Sequence, residues 1–273
     1  GEVLLFKTQD CFAGRIPNED VTMKDLNFSY GFTNPAAGPV YIEGAEPGDV
    51  LVVDIYDVQV ADHGVIATDD HCGPLYQTTD YRSKIIPIED GMADFNGVRF
   101  PINPMIGVIG VAPAGDPVNC GTPGSHGGNM DNTAITTGAT LYFPVAVEGA
   151  LFGCGDMHAA MGDGEISVSG AEVAGYATVT LTALPDLHLV DPLIENGTHL
   201  GIIASAESLD AAADRAVHEM VDLLHDRTGV DEAELVMLLS LVADVQVCQM
   251  VDPQKTVRFM VPKYVLESLG FKL

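Results

Sequence analysis

From Glu2 to about residue 204 the chain is cut into short apolar runs, among them VLLFKT (3 to 8), DVLVVDIYDVQV (49 to 60) and GATLYFPVAV (138 to 147), separated by Gly-, Pro- and Asn-rich turn material. Runs of that length, rich in β-branched and aromatic residues and punctuated by Asp90-Gly91 and Asn96-Gly97, predict antiparallel strands joined by hairpins. Val52, Asp54 and Tyr56 alternate with Val53, Ile55 and Asp57, which gives that strand one wetter face.

The pattern changes near residue 205. Leu209, Ala213, Ala216, Val217, Met220 and Leu224 recur at three- and four-residue spacing, predicting a helix from about Ser208 to Arg227 with Gly229 just beyond it. Asp231 with Glu234 three residues on resembles a capping box opening a second helix through Leu235, Leu238, Leu239 and Val242. Two strands, VQVCQMVD and TVRFMVP, close the chain. The fold class is therefore α+β and predominantly β. A sandwich- or barrel-like antiparallel body is expected over 1–204, with a helix-helix-strand part over 205–273 packed on it.

Lys plus Arg number 12 against 39 Asp plus Glu, a formal charge of -27. Such a surface repels phosphate backbones and anionic membranes, so nucleic-acid and peripheral-membrane roles are excluded. Five cysteines (Cys11, Cys72, Cys120, Cys154, Cys248) form no CxxC pair, which argues against a disulfide framework or zinc ribbon. With no run of 18 apolar residues and no signal-peptide pattern, the chain reads as soluble and cytoplasmic. It starts at Gly1 without Met, so a missing or processed N-terminal segment is compatible with it.

Chemistry concentrates in residues 124–172. Between His126 and Glu165 lie two histidines, three aspartates and two glutamates among eight glycines, in a segment otherwise built of strand formers. Ionisable groups between strand-like runs mark loop edges where a rigid sheet presents a site. In GDMHAAMGDGE, Asp156 and His158 are two apart and share a face if the strand continues, offering oxygen and imidazole ligands to Zn²⁺ or a similar ion. Glu165, placed at the start of the next strand, would lie back across from Asp156, and Asp131 after the HGGN loop would complete the set. Metal would then bring the pKa of its water to about 7 and a free carboxylate would take the proton. The bland readings of the same residues are Asp-Gly turn chemistry and a hydrogen-bonded half-buried histidine. His71, in the long polar stretch 61–83, is open to either reading. No GxSxG elbow, P-loop or dinucleotide fingerprint is present.

The strings TQDCF (8 to 12), NPAAGPVYIEGAEPGD (34 to 49), GVAPAG (110 to 115), CGTPGSHGGNMDN (120 to 132), TTGATLYFPVAVEGALF (136 to 152), GDMHAAMGDGE (155 to 165) and VDPQKTVRFMVP (251 to 262) resemble the acetamidase/formamidase family, in order and over nearly the whole chain. The resemblance implies hydrolysis of formamide, acetamide and similar amides to ammonia and the acid, a β-rich body with an α/β C-terminal part, and a divalent metal site. Members differ in substrate, and some act on cyclic amides. The family's N-terminal strand region ahead of TQDCF is shortened here, which bears on a sheet edge or dimer contact.

The resulting expectation is an amidohydrolase of small linear amides. Asp131, Asp156 and His158 hold the ion, zinc first and calcium as the alternative. Glu165 is the general base, and the backbone N–H groups of Gly127, Gly128 and Asn129 assist at the oxyanion. His71 or Glu165 itself returns a proton to the leaving ammonia. The competing expectations are a thiol amidase using Cys72 or Cys154 and a noncatalytic metal- or small-ligand-binding protein on the same scaffold. A homodimer or larger homo-oligomer is expected because pairing protects β edges.

The carboxylate excess fits either an ordinary acidic enzyme or solvation in a salty cytoplasm, where screening within about 3 Å at 1 M salt removes self-repulsion. Unfolding temperature measured against KCl separates them: a salt-adapted chain gains stability up to molar salt, and a flat profile rejects the adaptation.

Overall fold

The computed structural model of the chain describes residues 2–26, 34–75, 77–185 and 187–273. It is mostly β, with two antiparallel sheets and three helices and no closed barrel among the described residues. The first sheet has eight strands in the order Val3–Thr8, Gly175–Leu184, Val50–Val60, Thr140–Pro144, Leu193–Glu195, His199–Ala206, Lys255–Pro262 and Asp244–Gln249. The second has nine, running Val98–Pro101, Met92–Phe95, Arg82–Glu89, His63–Thr68, Glu172–Val173, Phe152–His158, Met105–Gly110 and Gly127–Asn129, with Ala36–Val40 also paired to Phe152–His158.

Strand alternation explains how the layers stack. In Val50–Val60, Leu51, Val53 and Ile55 point to one side and join Ile106, Ile109, Phe152 and Met157 of the second sheet in one core. Val50 points to the other side, into a second core with Leu200, Ile202, Phe259 and the helices. The first sheet is thus the middle layer, with the second sheet on one face and helices on the other.

The predicted helices form at Leu209–Thr228 and Glu232–Val242. Ser208 accepts the Ala211 N–H at the first N-terminus, and Gly229, at φ 70°, closes its C-terminus through an N–H bond to the His225 carbonyl. Asp231 accepts from the N–H groups of Ala233 and Glu234 at the second. A short third helix, Lys263–Ser268, was not expected. No helix of the described residues is long and apolar enough to cross a membrane.

The division expected after residue 204 falls inside the strand His199–Ala206, and the strands beyond it complete the same eight-stranded sheet. The stretch 61–83, expected to be one long loop, contains the strand His63–Thr68, which leaves a shorter connection after Thr68. Glu165, expected to open a strand, lies in a turn at φ 48°, and the next strand begins at Glu172. The turn is fixed by an N–H bond from Glu165 to the Gly162 carbonyl and one from Val168 to the Glu165 carbonyl.

Candidate active site

The site forms where one strand changes neighbours. Phe152–His158 pairs along one edge first with Ala36–Val40, through Phe152 to Gly155, and then with Glu172–Val173, through Met157 and His158. Asp156 falls in the gap between the two partners and has a left-handed backbone, φ 54°. Its other neighbour, Met105–Gly110, keeps register across the kink, with Gly155 opposite Val108 and Met157 opposite Ile106. A local break in an otherwise continuous ladder re-aims one side chain, and here it sends a carboxylate into the sandwich edge.

The sequence-predicted residues Asp131, Asp156 and His158 come together. His158 Nε2 lies 3.7 Å from Asp131 Oδ1 and 3.6 Å from Asp156 Oδ1. A further carboxylate, Glu172, approaches the same nitrogen most closely, at 3.1 Å. Sequence reasoning missed it because Glu172 is brought to His158 by direct cross-strand pairing. The available signal was a glutamate amid the small apolar residues of SGAEVAG. All four side chains are at most 3% exposed.

The outer oxygens of the cluster are hydrogen-bonded. Asn34 Nδ2 donates to Asp156 Oδ2 at 2.8 Å and to Asn129 Oδ1 at 2.9 Å. Asn129 Nδ2 donates to Asp252 Oδ2 at 2.7 Å, and the Gly170 N–H donates to Glu172 Oε1 at 2.8 Å. The inner oxygens, Asp131 Oδ1, Asp156 Oδ1 and Glu172 Oε2, make no well-aligned hydrogen bond, and Glu172 Oε2 faces His158 Nε2 only as an ion pair at 3.1 Å. Buried polar atoms are rarely left so, each costing roughly 1–3 kcal/mol. Ligand atoms of Asp131, Asp156 and His158 lie within 4.8 Å of one another, as do those of His158, Glu165 and Glu172, so two oxygen-and-imidazole sets that could hold a divalent cation overlap at His158.

Glycines make the convergence possible. A Cβ on Gly107 would sit 2.4 Å from Asp131 Oδ1 and 3.0 Å from Asp156 Oδ2, and one on Gly170 would sit 2.7 Å from His158 Nδ1. Without those side chains the carboxylates and the imidazole ring occupy the space next to the strands.

Crowded acids raise one another. Burial, then the neighbouring Asp156 carboxylate, brings Glu172 to about 8, against the opposing pull of His158. Burial likewise brings Asp252 to about 7. Asp131 and Glu165 are also pushed well up, in each case first by burial. His158 is raised despite its burial, because Glu172 and Asp156 favour the imidazolium.

Glu165 is buried beside this cluster and, with Asp131, Asp156 and Glu172, faces a cavity of about 420 Å³ whose wall includes Phe12, Met23, Val168 and Val251. His71 reaches the wall of the cavity, but its side chain is 78% exposed. Its Nδ1 is engaged by Asp69, Asp70 and Tyr81. That places it at the mouth as a hydrogen-bonded rim residue. Of the expected oxyanion donors, only Asn129 lines this cavity. The Gly127 N–H is bonded to the Gly124 carbonyl, and Gly128 faces a separate cavity with His126. Gly127 and Gly128 are therefore ladder residues turned away from the site.

Thiol chemistry is poorly served. Burial brings the thiols of Cys72 and Cys154 to about 12, and Cys11, in the cavity beside Glu172, is raised further by that carboxylate.

A buried carboxylate–imidazole cluster thus sits at a sheet break and borders a small cavity. The acetamidase/formamidase family model matches residues 1–120 and 119–268. The chain is 43% identical to an acetamidase from Bacillus halodurans of known structure, with TM-score 0.95 over 99% of this chain and 92% of that one. It is 45% identical to a predicted acetamidase/formamidase from Thermoanaerobacter tengcongensis, with TM-score 0.96 over 100% and 91%. A putative formamidase of Schizosaccharomyces pombe is 29% identical across 71% of this chain and 63% of its own length. The chain belongs to the acetamidase/formamidase family. It spans about three fifths of the length of the curated relatives it matches.

Two expectations follow from the geometry. Gly107→Ala drives its Cβ into Asp131, so the protein keeps its circular-dichroism spectrum but loses divalent-cation affinity by about tenfold or more, the loss of a well-placed ligand; unchanged affinity in a titration calorimeter rejects the cradle. In chelator-treated protein Glu172 is raised to about 8 and Asp252 to about 7, so their contribution to stability is present below the ordinary carboxylate values and is lost as pH rises through about 7 to 8. Thermal melts should show that decline and its removal on adding cation, which binds only the native state.

Proposed function

We propose that this chain hydrolyses small linear amides to ammonia and the carboxylic acid, at a divalent-cation site made by Asp131, Asp156, His158 and Glu172, with zinc as the first candidate. The observation that carries the reading is the trio of carboxylate oxygens without a well-aligned hydrogen bond around His158 Nε2, facing a cavity that Glu165 shares. Membership of a family with formamidase and acetamidase relatives supports the amide as substrate.

When bound, the cation supplies Lewis-acid polarisation of the amide carbonyl and acidifies water beside it. Glu165 takes the proton from the attacking water as the carbon–oxygen bond forms, and returns it to nitrogen as the carbon–nitrogen bond breaks and ammonia leaves. Its burial beside other acids raises its pKa well above that of a free carboxyl, which strengthens it as a base toward water. The carboxamides of Asn34 and Asn129 are committed to Asp156 and Asp252, so they orient the cluster. Phe12, Met23, Val168 and Val251 keep bulk water from the acid floor.

Metal analysis of the purified protein beside ammonia release from formamide, acetamide and propionamide tests the reading. Glu165→Gln should retain fold and metal while kcat falls by about 10²-fold or more, the usual worth of a positioned base. Chelation should abolish turnover and added cation restore it. Retained turnover in Glu165→Gln removes the base. Sensitivity to iodoacetamide with indifference to chelators turns the reading to a thiol, and blank assays with metal bound turn it to a binding protein.

A further inference from the structure

Asp131 and Glu165 reach the centre from different loops, and both have left-handed backbones, φ 41° and 48°. Non-glycine residues hold that conformation only where surrounding structure over-determines it. The two loops share one anchor. Arg258, on the strand Lys255–Pro262, is among the described residues the only buried lysine or arginine. Its Nη2 donates to Asp163 Oδ2 at 2.6 Å, and its Nη1 donates to Asp163 Oδ1 at 3.2 Å, to Asn132 Oδ1 at 2.9 Å and to Thr133 Oγ1 at 3.1 Å. Nε is held by Gln246 Oε1 at 2.6 Å on the adjacent strand. Thr133 Oγ1 donates in turn to Asp163 Oδ1 at 2.7 Å, which ties the two loops directly.

The backbone agrees with the side chains. The Gly164 N–H donates to the Cys248 carbonyl at 2.8 Å, and the Met250 N–H donates back to the Gly164 carbonyl at 3.2 Å. The turn carrying Glu165 is thereby docked on the edge strand Asp244–Gln249, next to the strand of Arg258. One planar guanidinium fixes the residues directly following Asp131 and the residue two before Glu165, with a fork geometry a lysine does not reproduce.

We propose that Arg258 and Asp163 are positioning residues that set Glu165 against Asp131, coupling the base to the cation site. The proposal rests on Glu165 being the base, and neither residue lines the cavity that holds the substrate. A bond that merely ties a loop down lowers stability whatever Glu165 is. A positioning bond loses its effect on turnover once Glu165 is gone.

A double-mutant cycle in the metal-loaded, full-length protein separates the two. Asp163 is 42% exposed but its loss leaves the buried Arg258 without its carboxylate, so Asp163→Asn, which keeps the shape and one acceptor, carries the test should the alanine variant fail to fold. For Asp163→Ala the expected result is a kcat about 10²-fold lower, as for an ångström-scale misplacement of a reacting group, with KM and metal content unchanged. Asp163→Asn and Arg258→Lys, each keeping part of the fork, should lose less than Asp163→Ala. In the Glu165→Gln background, Asp163→Ala should change residual turnover by less than about twofold, the signature of coupled residues. Normal kcat in Asp163→Ala, or the same loss in both backgrounds, overturns the clamp while leaving the base in place. Full turnover in Glu165→Gln alone overturns the base, and the clamp with it.

Discussion

The centre is an electrostatic problem before it is a catalytic one. Asp131, Asp156 and Glu172 point oxygens without well-aligned hydrogen bonds at one imidazole nitrogen in a region almost closed to water. Without a further counter-charge, burial and mutual repulsion hold several of these acids in their proton-bound forms, as the rise of Glu172 to about 8 shows. A divalent cation, as proposed for this site, would relieve the repulsion and satisfy the oxygens together. Among the described residues the charge that faces these acids most directly is the His158 imidazolium, and the buried Arg258 is spent on Asp163. The same repulsion that makes the metal-free arrangement costly is what would make it bind a cation tightly.

Holding like charges together requires a frame that does not yield. The pair of sheets provides it: the Asp156 kink is flanked by a neighbour that keeps register, and His158 and Glu172 are locked face to face across two strands. The remaining acid, Asp131, follows the short strand Gly127–Asn129, whose glycines let it run close against Met105–Gly110. A Cβ on Gly127 would lie 2.3 Å from the Ile109 carbonyl. The glycines of the HGGN motif therefore serve backbone approach between strands, which also explains why their N–H groups do not face the cavity.

How much of this was legible follows from the range of each interaction. The helix ends at Ser208, Gly229 and Asp231 were readable because caps are local. Asp156 and His158 were singled out from their two-residue spacing, but it is the left-handed break at Asp156 that aims its carboxylate, which the spacing does not reveal. Glu172 was not readable, since it reaches His158 through strand pairing, nor were Asn34 and Asp252, which come from opposite ends of the chain. Glu165 was found as a residue but misplaced onto a strand, because nothing in GDGE signals that a glutamate will take the left-handed conformation. His71 had the right chemistry and lay in a functional-looking loop, but the carboxylates and the tyrosine beside it tether it at the rim.

The division of the chain into a β body and a C-terminal part looks different once the contacts are traced. The strands after residue 204 extend the middle sheet, and from them come Arg258, the Cys248 carbonyl that docks Gly164, and the turn that bears Asp252. Asn34 enters from the other end, bonded through its N–H to the Cys11 carbonyl and through its side chain to Asp156. The body supplies the clustered acids and the imidazole, and both flanks supply the groups that aim them. An N-terminal fragment ending near residue 204 would keep Asp131, Asp156, His158 and Glu172 in sequence but lose the clamp on two of the loops that shape the site. The cluster is therefore a property of the closed fold, since like-charged side chains stay converged only while all of their supports are in place.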